Sequence, residues 1–256
     1  MIEILTAEQL EQARPSGRFV AGTLQTLRDR VGPGTNLLEI DAWTRKLISD
    51  AGATSCYVDY APSFGRGPFG KVICTSVNDA VLHGLPHDYE LAEGDLLTLD
   101  FAVSLDGWVT DSAISFVVGS AGDGADQQMI DTTQAALAAG IAAVRPGGHV
   151  GDISAAIGAV LTAAGFPVNG EFGGHGVGRT MHQEPHIANS GTPGRGFRLR
   201  PGMLLAIEPW VMRGTNRLVK DPDGWTLRSA NGGRTAHSEH TVAITANGPD
   251  ILTLAG

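Results

Sequence analysis

From Leu96 to Val118 apolar and polar residues alternate. Leu97, Leu99, Phe101, Val103 and Leu105 are apolar, and Thr98, Asp100, Ala102 and Ser104 between them are polar or small. That is the period of a strand half-buried against a core. Asp106-Gly107 is a strong two-residue hairpin turn, so a second strand returns from Trp108. If Leu105 pairs with Trp108, Asp100 lies opposite Ala113, and Asp111 becomes its diagonal neighbour on the same face. That face carries Asp100, Ala102, Asp111, Ala113 and Ser115; the other carries Leu99, Phe101, Ile114 and Phe116. Two carboxylates on one face repel unless something neutralises them. A divalent cation does so directly; the alternative is a face that is simply wet.

Helical patterns surround this hairpin, and they repeat. Thr6 to about Val31 reads as a helix with Thr6 and Gln9 as a capping box, and Pro15 marks a break or bend within it. Gly32-Pro33-Gly34 then precedes an amphipathic stretch ending at Ala51-Gly52. Arg145-Pro146-Gly147 precedes a similar stretch ending at Ala164-Gly165, and proline to glycine is nineteen residues in both. The run from Gly94 to Asp100 echoes that from Gly202 to Glu208, each with an acid six residues after a glycine at the end of an apolar strand. Asp111 to Phe116 echoes Glu239 to Ile244. Three echoes in one order predict a duplicated unit, with residues 1–120 and 127–256 as approximate halves of a single domain and Gly119 to Asp126 as the joint. Helices alternating with antiparallel hairpins place the fold in the α+β class, a pseudo-two-fold duplicated antiparallel sheet covered by helices on one face.

Bulk composition narrows the function. A formal charge of −9 argues against nucleic-acid binding. Cys56 and Cys74 alone are too few for a disulfide scaffold or a thiolate metal site. The amino terminus carries acids where a signal peptide needs a basic and then an apolar run, and no apolar stretch approaches the ~20 residues of a membrane span. The expectation is a cytoplasmic protein without membrane contact.

The second half supplies further ligand chemistry. Phe172 to Arg179 sets His175 between glycines, which permit close backbone approach. Glu208 ends an apolar strand before Pro209, and Glu239 begins another. Each alone is an ordinary solvated residue. With Asp100 and Asp111 they make four carboxylates and one imidazole, an oxygen-rich set suited to two adjacent divalent ions. Such a pair can share a hydroxide, polarise a carbonyl and neutralise the oxyanion that forms.

These residues lie within longer motifs. Thr75-Ser76-Val77-Asn78-Asp79 leads to His83-Gly84-Leu85-Pro86, and Gly94-Asp95 leads through Asp100 to Asp111. Gly174 to Arg179 comes before His182-Gln183-Glu184-Pro185, then Gly202-Met203 through Glu208-Pro209, and finally Glu239-His240-Thr241. In these motifs, nearly end to end, the sequence resembles the type I methionine aminopeptidases of the short bacterial form. The resemblance implies the pita-bread (creatinase/aminopeptidase-like) fold. It implies that Asp100, Asp111, His175, Glu208 and Glu239 ligate two divalent ions, whether cobalt, manganese, iron or zinc, with Asp111 and Glu239 bridging. It further implies that His83 and His182 contact substrate, His83 near the amine or scissile peptide and His182 near the carbonyl oxygen. Glu208 would double as proton shuttle. Cys74 and Trp225 match positions lining the methionine pocket, whereas Met181 stands where the bacterial enzymes commonly carry an aromatic residue.

The activity implied is removal of the initiator methionine from nascent polypeptide N-termini near the ribosome, by a monomer, through attack of a metal-bridging hydroxide on the first peptide bond. No cysteine/histidine-rich amino-terminal extension is present for docking there. Rival readings are an Xaa-Pro aminopeptidase or dipeptidase of the same superfamily, which usually carries a large additional amino-terminal domain, and a non-catalytic binding protein of the same fold, which typically loses metal ligands.

Overall fold

The computed structural model describes residues 2–120 and 124–255. The centre of the expected joint, residues 121–123, lies outside the described residues.

Four helices carry the scaffold: α1 (Ala7–Arg30), α2 (Leu37–Asp50), α3 (Ala125–Ala143) and α4 (Val150–Ala163). Helix α1 begins with the expected capping box, Thr6 Oγ1 accepting from the Gln9 N–H and Gln9 Oε1 accepting from the Thr6 N–H. It runs through Pro15 without ending. The proline forfeits one backbone bond. Burial of Leu10, Ala13, Val20, Leu24 and Leu27 along one side holds the helix on the sheet regardless.

Helices α2 and α4 begin and end alike. Gly34 and Gly147, before their caps, take φ of 85° and 86°. Gly52 and Gly165, after their last turns, take 64° and 82°, the left-handed region in which glycine carries no Cβ penalty. Asn36 and His149, the two N-caps, each donate their backbone N–H to an acid three residues on, Glu39 and Asp152.

The strands of the first half are β1 (Thr54–Ser55), β2 (Cys74–Val77), β3 (Ala80–Leu82), β4 (Leu96–Leu105) and β5 (Trp108–Val117). Those of the second are β6 (Gly173–Gly176), β7 (Gln183–Ala188), β8 (Leu204–Ile207), β9 (Trp210–Met212), β10 (Leu218–Lys220), β11 (Leu227–Ser229), β12 (Thr235–His237), β13 (His240–Thr245) and β14 (Gly248–Ile251). In the first half β4 pairs with β5 on one side and with β1 and β2 on the other. In the second the order is β14-β13-β8-β6-β7, all antiparallel.

Hairpin β4–β5 has the register its turn predicts: Leu105 faces Trp108, Asp100 faces Ala113, and Asp111 faces Ala102. Its apolar face, Leu97, Leu99, Phe101 and Val103, is fully buried with Leu24 and Leu27 of α1 and Ile40 of α2. The second half has its own core, in which Met129 and Leu137 of α3 and Ile153 and Ile157 of α4 pack with Leu205 and Val242 of the sheet.

The structure excludes the wet-face alternative. The small-residue face of the hairpin is not solvated: Ala102, Asp111, Ala113 and Ser115 are all buried. The second half closes over it. From this face Ser115 Oγ donates to the His237 carbonyl at 2.7 Å, and from the opposite face Ser112 Oγ donates to the Glu239 carbonyl at 2.6 Å. Ala113 and Glu239 exchange backbone bonds of 3.4 and 3.0 Å, so β5 meets the chain entering β13 edge to edge. The echo that aligns Asp111 with Glu239 also aligns Ala113 with Thr241. In the structure Asp111 bonds Thr241 while Glu239 bonds Ala113. That exchange of partners is what a two-fold relation between these strands demands.

Candidate metal centre

All seven residues singled out in the sequence line one cavity at this junction: Asp100, Asp111, His175, Glu208 and Glu239, with His83 and His182. Each arrives from a different piece of backbone. Asp100 and Asp111 are diagonal neighbours on the hairpin, His175 is in the glycine-rich strand β6, and Glu208 follows β8. Glu239 stands immediately before β13, across from Ala113. The glycines around His175 are sterically required: a Cβ on Gly174 would sit 2.3 Å from the Ala206 carbonyl oxygen, and one on Gly176 would sit 2.2 Å from that of Glu184. The imidazole therefore enters on a strand pressed between two others.

Ligand atoms of Asp111, His175 and Glu239 lie within 4.8 Å of one another. His175 Nε2 is 3.6 Å from Glu208 Oε1. Burial, first, and neighbouring carboxylates, second, push Glu208 up to about 8 and hold Asp111 and Glu239 well above the ordinary carboxylate range. Burial also lifts Asp100 to about 6, against the pull of hydrogen bonds from Tyr57 and Asp111. Burial lowers His175 to about 3, keeping its ring neutral and able to donate a lone pair. Asp111 Oδ1 and Glu239 Oε1 are buried with no hydrogen-bond partner. Orphaned carboxylate oxygens facing a neutral imidazole in a crowd of acids fit a divalent cation by chemistry and by charge.

The histidines outside the cluster sit along the same wall. The His182 ring lies against that of His175, centroids 4.3 Å apart and planes tilted by 54°, and burial lowers it to about 4. His83 takes φ of 55° and is lowered to about 4 by burial. Gly84 is forced to be glycine because its Cβ would fall 2.4 Å from the Thr75 carbonyl oxygen. Cys74, paired across from Asp100, and Trp225 also line the cavity. Met181 is buried beside them.

Sequence reasoning missed several residues here. Tyr57 donates its hydroxyl to Asp100 Oδ1 at 2.6 Å. Tyr60 stacks on His182 with centroids 5.3 Å apart, and Phe64 stacks on His83 at 5.2 Å. Both belong to a strap, residues 57–70, laid across the cavity against Trp225. Gly65 lets it lie there, since a Cβ would come 2.7 Å from the indole. Lys220 Nζ donates to the Phe64 carbonyl and ties the strap down. The signal was the crowding of Tyr57, Tyr60, Phe64 and Phe69 into a Gly/Pro-rich stretch with no strand or helix period. His237, at the end of β12, has its Nε2 3.7 Å from Glu208 Oε2. Its only trace in the sequence was its place two residues before Glu239.

A duplicated antiparallel sheet with carboxylates and an imidazole converging at the seam defines a metal-dependent hydrolase of the pita-bread fold. Comparison with known proteins makes this specific. The profile of metallopeptidase family M24 matches residues 11–246, and the chain belongs to that family. It is 42% identical to methionine aminopeptidase 1 of Mycobacterium tuberculosis, with 97% of this chain and 94% of the relative covered. The crystal structure of a methionine aminopeptidase from Rickettsia prowazekii superposes with a TM-score of 0.94 at 33% identity, covering 99% of this chain and 100% of that one. The prolidase from Pyrococcus furiosus shares the fold, with a TM-score of 0.78 at 21% identity. There the match covers 99% of this chain and 66% of the prolidase. Among the described residues no helix is long and apolar enough to cross a membrane.

Proposed function

We propose that this chain is a methionine aminopeptidase that removes the initiator methionine from nascent polypeptides. The observation that carries the reading is the convergence of five ligand-type side chains and two neutral histidines in one cavity walled by Cys74 and Trp225. Asp100, Asp111, His175, Glu208 and Glu239 would hold two divalent ions, and the orphaned oxygens of Asp111 and Glu239 are free to serve them. When bound, such ions supply Lewis acidity that activates water and polarises the scissile carbonyl.

The protein's own groups do the rest. Glu208 would accept the proton of the attacking water and return it to the leaving amine. His83, uncharged in its enclosed position, meets the amine or the scissile peptide, and His182 steadies the carbonyl oxygen. The thiol of Cys74 and the indole of Trp225 suit a flexible thioether. Manganese, iron, cobalt and zinc all suit this donor set, so supply in the cell selects among them. The enzyme acts as a cytoplasmic monomer on polypeptide N-termini near the ribosome, without contacting nucleic acid itself.

Metal titrated back into apo protein, assayed on Met-Ala-Ser and Ala-Pro peptides, tests the reading. Methionine release restored by metal is expected. Faster release of alanine from the proline substrate would instead assign an Xaa-Pro enzyme, and no binding of Mn²⁺ or Co²⁺ would remove the catalytic reading altogether.

A further inference from the structure

The Glu208 carboxylate is bracketed by two imidazoles. His175 Nε2 stands 3.6 Å from Oε1, and His237 Nε2 stands 3.7 Å from Oε2. His175 belongs to the ligand set; His237 has no part in the function as described so far. It is 1% exposed, and its Nε2 is buried with no hydrogen-bond partner. A ring nitrogen in that state is costly, and native proteins rarely leave one without a use.

The backbone around His237 is fixed from both sides. Its N–H donates to Ser115 Oγ at 2.9 Å, and the same hydroxyl donates back to its carbonyl. On its other edge β12 pairs with β9, His237 facing Trp210. Glu208 is held too, its carbonyl accepting from Asn189 Nδ2 at 3.1 Å. Two anchored backbones thus aim one ring nitrogen at one carboxylate oxygen. Closing 3.7 Å to hydrogen-bond length needs only a small side-chain rotation.

We propose that His237 is a positioning residue: it donates Nε2–H to Glu208 Oε2 and so fixes the rotamer of the carboxylate. With Oε2 held, Oε1 is left facing the His175 side of the cluster, where ligation and proton transfer take place. A carboxylate that must both ligate and move a proton has to present one oxygen reproducibly, and a partner on its second oxygen does this. No other polar side chain is recorded bonding that oxygen among the described residues. The inference rests on the proposed role of Glu208.

The test compares His237→Leu and His237→Gln in the metal-loaded enzyme on Met-Ala-Ser. His237→Leu should lower kcat by roughly tenfold or more, the scale of losses when a partner of a metal-site residue is removed. KM and metal content should stay near wild type. His237→Gln, whose amide places a donor in the same direction, should recover most of the loss. Wild-type kcat in His237→Leu would make the ring a space-filler, and loss of metal would make it a ligand; either overturns the proposal, as does a folded His237→Gln no better than His237→Leu. A second readout needs no active variant: in zinc-loaded wild-type protein labelled with ¹⁵N-histidine, the His237 resonance, assigned by its absence from the His237→Gln spectrum, should show a protonated Nε2. An unprotonated Nε2 sinks the donor role. If wild type releases no methionine with any metal, the functional reading fails, while the nitrogen spectrum still decides the hydrogen bond.

Discussion

The Tyr57 hydroxyl donates to Asp100 Oδ1 across 2.6 Å, from a buried side chain at the start of the strap. The bond does two things. It draws Asp100 back toward the ordinary carboxylate range against the upward push of burial, and it leaves the other oxygen to face the cluster. Tyr57→Phe keeps the ring and removes only this donor. Metal affinity should then fall about tenfold, as for other residues that orient a ligand, while the melting temperature of the apo protein changes little. Calorimetric titration with Mn²⁺ checks it; unchanged affinity would reduce Tyr57 to packing.

The seam between halves should be sensitive to one hydroxyl. Thr241 Oγ1 accepts from the Asp111 N–H and donates to the Asp111 carbonyl, each at 2.8 Å, in a fully buried position. Thr241→Val keeps the shape and strands both backbone groups. An unsatisfied buried polar group costs about 1–3 kcal/mol, so urea unfolding should show a loss of roughly 2 kcal/mol. Because Asp111 itself is the group released, metal affinity should fall in the same variant; intact stability would mean that the halves are held elsewhere.

Removing the metal should expose the repulsion that it masks. In the metal-free protein Glu208 at about 8, and Asp111 and Glu239 above their usual range, are raised relative to an unfolded chain. For a raised acid the stability contribution is complete below the unfolded value, near 4, and is lost as pH climbs toward the folded one. The histidines work oppositely. His83 and His182 at about 4, and His175 and His237 at about 3, are depressed, so they favour folding fully above about 6.5 and lose that as pH falls. Below neutrality the two trends compete; above it only the carboxylates remain. In chelator the melting temperature should therefore fall between about pH 7 and 9. With Mn²⁺ present it should be higher and flatter. Scanning calorimetry at several pH values tests this, and a metal-free melting temperature flat across that range counts against it.

What the sequence disclosed, and what it withheld, follows from the range of the interactions involved. Alternation and the Asp106-Gly107 turn are local, and they placed Asp100, Asp111 and Ala113 in their true register. The capping pairs of α1 and α2 are also local, three residues apart. Glu208 and Glu239 became legible only through repetition, because the second copy of a pattern carries information that a lone acid at a strand end does not. Burial of the Asp111 face was not legible. It depends on Ser115 meeting a carbonyl more than a hundred residues away, and no periodicity encodes that. His237 was hidden for the same reason, its bond to Ser115 spanning 122 residues. The strap was invisible for another: aromatic residues without a period fix neither a strand nor a helix, and their direction comes from Trp225 and the two histidines they cover.

That strap should govern which peptides reach the centre. Phe64 lies flat on His83, with 21° between the rings, and its edge meets Phe172 and Trp225. It thereby occupies space beside a histidine proposed to meet the scissile peptide, where on that reading the side chain following methionine would pass. A wall of this kind discriminates by volume: each methylene excluded or admitted in an apolar site shifts specificity by about 10–200-fold. Phe64→Ala removes the wall but leaves the strap tied through the main-chain carbonyl that accepts from Lys220, so the backbone stays in place. The expected result is a rise of about tenfold in kcat/KM for Met-Val peptides relative to Met-Ala peptides. Metal content should not change, because the ring partners of Phe64 are His83, Phe172 and Trp225, all outside the proposed ligand set. Tyr60→Ala, which uncovers His182, should act differently and lower turnover on both peptides, since it loosens a histidine without widening the wall beside His83. An unchanged Met-Val to Met-Ala ratio in Phe64→Ala would show that the strap covers the site without shaping its choice.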